Sequence, residues 1–110
     1  MTKGIFYITI NNFNGRKEFK AEQKSGYIET LENGVKVGYD KRGSRWHANE
    51  LTTGFGICSE KSKKALVEKI HELEKWGKLE HINRMLEREA DDLRTNVGRA
   101  AKCIAEAYAS

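Results

Sequence analysis

Apolar and polar residues alternate with a period of two along the first half of the chain and recur every three to four positions along the second. The first pattern marks strands with one buried face, the second amphipathic helices. In Val35-Lys36-Val37-Gly38-Tyr39-Asp40, the residues Val35, Val37 and Tyr39 share one face, and Lys36 and Asp40 share the other. In Arg45-Trp46-His47-Ala48-Asn49-Glu50, Trp46 and Ala48 are expected inside, with Arg45, His47 and Asn49 outside. Residues 5–10, 27–31 and 55–58 read as further strands. Residues 16–24, where Phe19 and Ala21 alternate, suit an edge strand or a short helix, and the strand is preferred. The chain has no proline, so turns fall to Gly, Asn, Asp and Ser. Residues 11–15, Ser25-Gly26, Asn33-Gly34, residues 41–44 and residues 52–54 punctuate the strands as in a meander of hairpins. Asn33-Gly34 predicts a type I′ turn, because both residues tolerate a positive φ.

After Cys58 the period changes. Ser59 is expected to cap a helix over residues 60–76, with Ala65, Leu66, Ile70 and Leu73 as its stripe and Trp76-Gly77 at its end. A second stripe runs through Leu79, Ile82, Leu86, Ala90, Leu93, Val97, Ala101, Ile104 and Tyr108. Unbroken, it would form a helix roughly 45 Å long, with Gly98 as its weak point. Such a helix outruns strands of about 17–20 Å. The segment carrying Val97, Ala101, Ile104 and Tyr108 then needs cover. A second copy of the chain (a homodimer through the C-terminal helix) or a partner protein would supply it; so would a bend at Gly98 onto the chain's own core. The expected fold class is therefore α+β. An antiparallel β-meander of four to five short strands (residues 1–58) precedes two helices, the C-terminal one long (residues 59–110), in one domain over residues 1–110.

Charge adds an asymmetry. The net charge is +4, and residues 1–47 hold nine Lys and Arg against five Asp and Glu, whereas residues 65–110 hold eight against nine. The basic character belongs to the β half and suits an acidic partner, protein or nucleic acid. Arg16, Lys17, Lys20, Lys36, Lys41, Arg42 and Arg45 are its candidate binding residues. No apolar run reaches the roughly 20 residues that cross a bilayer. The short N-terminal apolar stretch reads as a strand and not as an export signal. No membrane is expected, and the location is expected to be cytoplasmic. Cys58 and Cys103, the two cysteines, are expected as free thiols in a reducing compartment.

Candidate chemistry is sparse. Residues 53–64, glycines and hydroxyls followed by Lys61, Lys63 and Lys64, lie at a helix start, where anions are favoured. Glu60 stands where a Walker motif needs glycine. His47, His71 and His81 have no metal-ligand spacing with each other or with the cysteines. Neighbouring strands could bring Cys58 and His47 together, but no orienting third residue is recognisable. No enzymatic activity, cofactor or metal is expected.

Two resemblances bear on function. Gly54-Phe55-Gly56-Ile57 resembles the centre of the RNP1 motif of RNA-recognition domains, and Ile8-Thr9-Ile10-Asn11-Asn12-Phe13 resembles their RNP2 strand. That resemblance implies base stacking on two central strands. Departures are Thr53 where a basic residue is expected and Glu60 where an aromatic is expected. Trp46-His47-Ala48, the stretch from Thr53 to Ile57, and Ser62-Lys63-Lys64-Ala65-Leu66-Val67 resemble small accessory proteins of phages and mobile elements, anti-CRISPR-type inhibitors among them. That resemblance implies a protein partner and inhibition of a host nuclease or defence complex by occlusion, and it assigns no residue. The sequence thus leads to a protein-binding module, with a basic nucleic-acid binder using the β face as the alternative.

Overall fold

The computed structural model describes residues 1–12 and 18–110. Five antiparallel strands follow one another in sheet order: β1 (Thr2–Asn12), β2 (Glu18–Thr30), β3 (Lys36–Arg42), β4 (Arg45–Glu50) and β5 (Gly56–Glu60). Three helices complete the chain, α1 (Lys63–Lys75), α2 (Glu80–Glu89) and α3 (Asn96–Ala109). The expected meander followed by helices is what forms, and the ambiguous segment from Glu18 onward is strand.

Ser25-Gly26, expected as a turn, lies inside β2. The glycine serves a close approach instead, because a Cβ on Gly26 would sit 2.0 Å from the Tyr39 carbonyl oxygen. Beyond this point β2 pairs with β1 alone: β3 joins only at residues 27–30, whereas β1 runs alongside from Thr2 to Asn12. Half of the β1–β2 hairpin therefore overhangs the rest of the sheet. The Asn33-Gly34 turn forms, but Gly34 alone takes a positive φ (90°). Gly34 N–H donates to the Leu31 carbonyl, and the Asn33 side-chain oxygen accepts from Val35 N–H. This is a type I geometry closed by a left-handed glycine, so the I′ expectation is corrected.

Directly paired residues lie on the same face, and the register sorts the sheet cleanly. Tyr27, Val37, Tyr39, Trp46 and Ala48 share the helix face, where Leu66 and Ile70 of α1, Leu79 just before α2 and Ile82 within it pack on them. Phe6, Ile8 and Ile28 lie on the far face and form a second cluster with Leu51. Gly38 makes room for it, since a Cβ there would lie 2.7 Å from a Phe6 ring carbon.

Ser62, not Ser59, caps α1, its Oγ accepting from Ala65 N–H at 3.1 Å. Ser59 is still in β5 because pairing with β4 continues to Glu60. Gly77 (φ 70°) ends α1 as expected. Its N–H donates to the Glu74 carbonyl, and Lys78 N–H donates to that of Leu73, closing the helix with a left-handed residue.

The expected unbroken second helix is two helices, α2 and α3, with the break over residues 90–95 and not at Gly98. Thr95 Oγ1 accepts from Gly98 N–H at 2.9 Å and donates to the Asp92 carbonyl at 2.8 Å, capping α3 and tying it to the end of α2. A Cβ on Gly98 would sit 1.9 Å from the Asp92 carbonyl oxygen. The glycine thus permits the fold-back from within the first turn of α3. Asp92 pairs with Arg94 at 2.9 Å, beyond the end of α2. At 14 residues α3 is the longest helix.

Folded back, α3 covers the overhanging hairpin. Tyr108 stacks edge-on against Tyr7 with ring centres 4.9 Å apart, and the Cys103 thiol lies 3.5 Å from the Phe19 carbonyl oxygen. Val97 and Ile104 are buried, Ala101 is half-buried, and Tyr108 remains 52% exposed. The stripe expected to seek an outside partner is therefore largely consumed inside the chain.

Candidate functional site

With the helix face closed by α1 and α2, the far face of β2–β4 is the surface on which the basic residues of the β half collect. Lys20, Lys36, Arg42 and Arg45 share it by register, and so do Lys24 and His47, which the sequence list omitted. Lys41 pairs with Trp46 and therefore belongs to the helix face. Arg16 and Lys17 lie outside the described residues.

The cluster is built on a buried carboxylate. Asp40 is 2% exposed. It accepts a bidentate pair from Arg42, Nε to Oδ2 at 2.9 Å and Nη2 to Oδ1 at 2.8 Å. Arg42 Nη2 also donates to Asn49 Oδ1, and Asn49 Nδ2 donates to the Gly54 carbonyl at 2.8 Å. Asp40, Arg42, Asn49 and the turn before β5 thus form one chain of hydrogen bonds that fixes the guanidinium in a single orientation. Asn49, expected to point outward, does face away from the helices. It is nonetheless buried, because the turn before β5 and Arg42 take up both ends of its amide.

Two further cations stand beside this fixed guanidinium. Arg45 is exposed and donates to Ser59 through Nε (to Oγ) and Nη2 (to the carbonyl), each at 3.3 Å. Lys24 reaches Glu22 at 3.1 Å. His47 pairs across the strands with Asp40 on one side and Ser59 on the other. Burial lowers its pKa from the ordinary value. Arg42, Arg45 and Lys24 lower it further, and only Asp40 opposes them. The imidazole is therefore neutral at pH 7, held in a positive field by three neighbouring cations. Asp40 neutralises Arg42 and Glu22 neutralises Lys24, so the excess rests on Arg45 and suits an anion or an acidic surface.

The cluster's chemistry is recognition by oriented donors. Cys58 pairs with Ala48 and faces the helices, whereas His47 pairs with Ser59 and faces away. The sheet separates the Cys–His pair considered from sequence. Burial, and after it Glu60, raises the Cys58 thiol pKa, which keeps it in its weakly nucleophilic protonated form. Among the described residues no three His, Cys, Asp or Glu side chains are grouped to hold a metal. His71 instead bonds Glu29 at 2.9 Å, and Glu29 accepts from the Tyr39 hydroxyl at 2.8 Å. Burial, and then Glu29, raises the pKa of that phenol.

Apart from Phe6, which is buried on the far face, the strand aromatics lie elsewhere. Tyr7, Tyr27, Tyr39 and Trp46 all take the helix face. Lys63 of α1 sits 3.5 Å over the Tyr27 ring, and Phe55 packs against Phe19 with ring centres 5.9 Å apart. The RNP2-like stretch lies in β1 as far as Asn12, with Phe13 outside the described residues, and the RNP1-like stretch leads into β5. These strands open and close the sheet order and are not its central pair. They meet at one point, where Thr9 N–H donates to the Gly54 carbonyl at 3.2 Å.

Among the described residues no helix is long and apolar enough to cross a membrane. No protein-family model matches the chain, and comparison with curated proteins and with solved structures returns no match.

Proposed function

We propose that this chain is a non-enzymatic protein-binding module that acts by covering an acidic surface of its partner with the basic far face of the sheet. The observation that carries this reading is the grouping of Lys24, Arg42, Arg45 and His47 on one face. Arg42 is held in place by Asp40 and Asn49, Lys24 is paired with Glu22, and Arg45 is exposed and bonded to Ser59. Oriented donors beside an exposed cation give both orientation and electrostatic steering towards a carboxylate-rich surface. The inhibitor role implied by the phage-protein resemblance fits within this reading. A basic face suits the carboxylates of a metal-dependent nuclease centre better than the basic channel through which a nuclease holds nucleic acid.

The second reading, a nucleic-acid binder, draws on Lys20 and Lys24 of β2, which alternate with Glu18 and Glu22 on the same face. With Phe6 fully buried and the other strand aromatics turned under the helices, it would rest on phosphate contacts, without the base stacking that typifies single-strand binding. One experiment separates the two. The double variant Lys24→Glu/Arg45→Glu and the wild type are compared for binding to a short DNA duplex, a short single strand, and the acidic protein that the wild type retains. Loss of protein binding by about tenfold or more, with no nucleic-acid binding at low salt, supports the module. Nucleic-acid binding that falls steeply with salt and disappears in the variant replaces it with the second reading.

A further inference from the structure

A second feature lies across the sheet from the basic cluster. A cavity of about 420 Å³ opens where the turn before β5 meets the end of α1 and the start of α2. This is within the size range of small-molecule sites, roughly 300–1,000 Å³. Phe55 and Ile57 form one wall; Leu73, Ile82 and Met85 form the other. Its mouth carries Lys78 and His81, both exposed. Between these two residues α2 begins, and no side chain caps its first turn. The uncapped helix start and the lysine both favour negative charge at the mouth. Glu80, the acid of that turn, is exposed and is not part of the lining.

The one carboxylate in the lining is already engaged. Glu50 is buried, and its oxygens accept from Thr52 N–H at 2.6 Å, Thr53 N–H at 3.0 Å and the Thr53 hydroxyl at 2.6 Å. It serves the turn that shapes the wall, leaving the exposed cation at the mouth to set the charge preference. We infer that this cavity binds a small amphipathic carboxylate, its apolar tail between Phe55 and Met85 and its head at Lys78 and the first turn of α2. Apolar depth selects the tail, and the charge at the mouth selects an acid over an amine of equal length.

Calorimetric titration of the full chain with decanoate, decanol and decylamine tests this. Decanoate is expected to bind one to one, at least tenfold tighter than decylamine and severalfold tighter than decanol. Lys78→Glu, a change at an exposed position, is expected to weaken decanoate at least fivefold while leaving decanol unchanged. Met85→Trp, which fills the cavity, is expected to abolish binding of both, with circular dichroism confirming that the variant is folded. The inference is overturned if decanoate fails to bind at millimolar concentration, or if decanol or decylamine binds as tightly. Indifference of decanoate to Lys78→Glu overturns it too, whatever Met85→Trp does. Binding of a peptide ending in a leucine carboxylate, where decanoate does not bind, would also overturn it by assigning the cavity to a protein terminus. The basic far face plays no part in any of these outcomes.

Discussion

The two faces of β3 and β4 are made from the same residues taken alternately, and they are stabilised by different physics. On the helix face, Val37, Tyr39 and Ala48 pack against Leu66, Ile70, Leu79 and Ile82. The stabilisation there is apolar burial, non-directional and tolerant of small shifts. On the far face, one residue along, stand Gly38, Asp40 and Asn49. Asp40 and Asn49 are as buried as the core, yet their stability depends on hydrogen bonds that must all be made together. The first face holds the fold, while the second aims a guanidinium. Burial alone would not tell them apart, and the partner of each buried atom does.

Substitutions can break this contrast. The largest effect is expected where apolar cover is replaced by charge: Ile104→Asp in α3 should cost about 4 kcal/mol or more. It should leave the oligomeric state as in the wild type, because Ile104 is spent on the hairpin. Urea melts and light scattering check both. Ile70→Ala on the helix face should cost about 3 kcal/mol through lost burial and a residual cavity, read as a lower urea midpoint. Asp40→Ala should cost about 2 kcal/mol, since Arg42 loses its bidentate partner in a partly buried site. Its diagnostic feature is recovery of stability in the double variant Asp40→Ala/Arg42→Ala, which a merely apolar site would not show.

The smallest effect should come from His47. Its folded-state pKa lies below the unfolded value of about 6.5, so the unfolded chain binds more protons between the two values. His47 therefore contributes stability above about pH 6.5 that is lost as pH falls through the folded-state pKa. His47→Gln should flatten that part of the profile, measured as thermal midpoints between about pH 5 and pH 7.

Much of the helix face was legible in the sequence. Val35, Val37 and Tyr39 announce an inward set by strict alternation, and Trp46 with Ala48 repeats it. The far face was legible in side but not in depth. Asn49 does point away from the helices, but its burial depends on the turn at Gly54, which no local pattern reports. Lys24 was missed because Arg42 and Arg45 come from other strands; His47 shares β4 with Arg45, but its place beside Asp40 and Arg42 comes only from pairing with β3. The only available signal was parity: strands with known register would have aligned them. The break between α2 and α3 left a fainter trace. The stripe from Leu79 to Tyr108 keeps its period straight through residues 90–95, while Thr95 offers a cap to Gly98 in a place the periodicity hides.

By itself, then, the sequence determined the α+β order, the hairpin meander, the inward face of β3 and β4, and the concentration of positive charge in the β half. These follow from period and turn chemistry, which act over a few residues. Only the tertiary structure decided that the last stripe folds back to cover the overhanging hairpin. It also decided that Asp40 and Asn49 lie buried beneath a guanidinium, and that an apolar cavity opens beside the start of α2. Each of these depends on which residues become neighbours in space, as Tyr7 does for Tyr108 and Phe55 for Leu73, and a periodicity carries no record of such pairings.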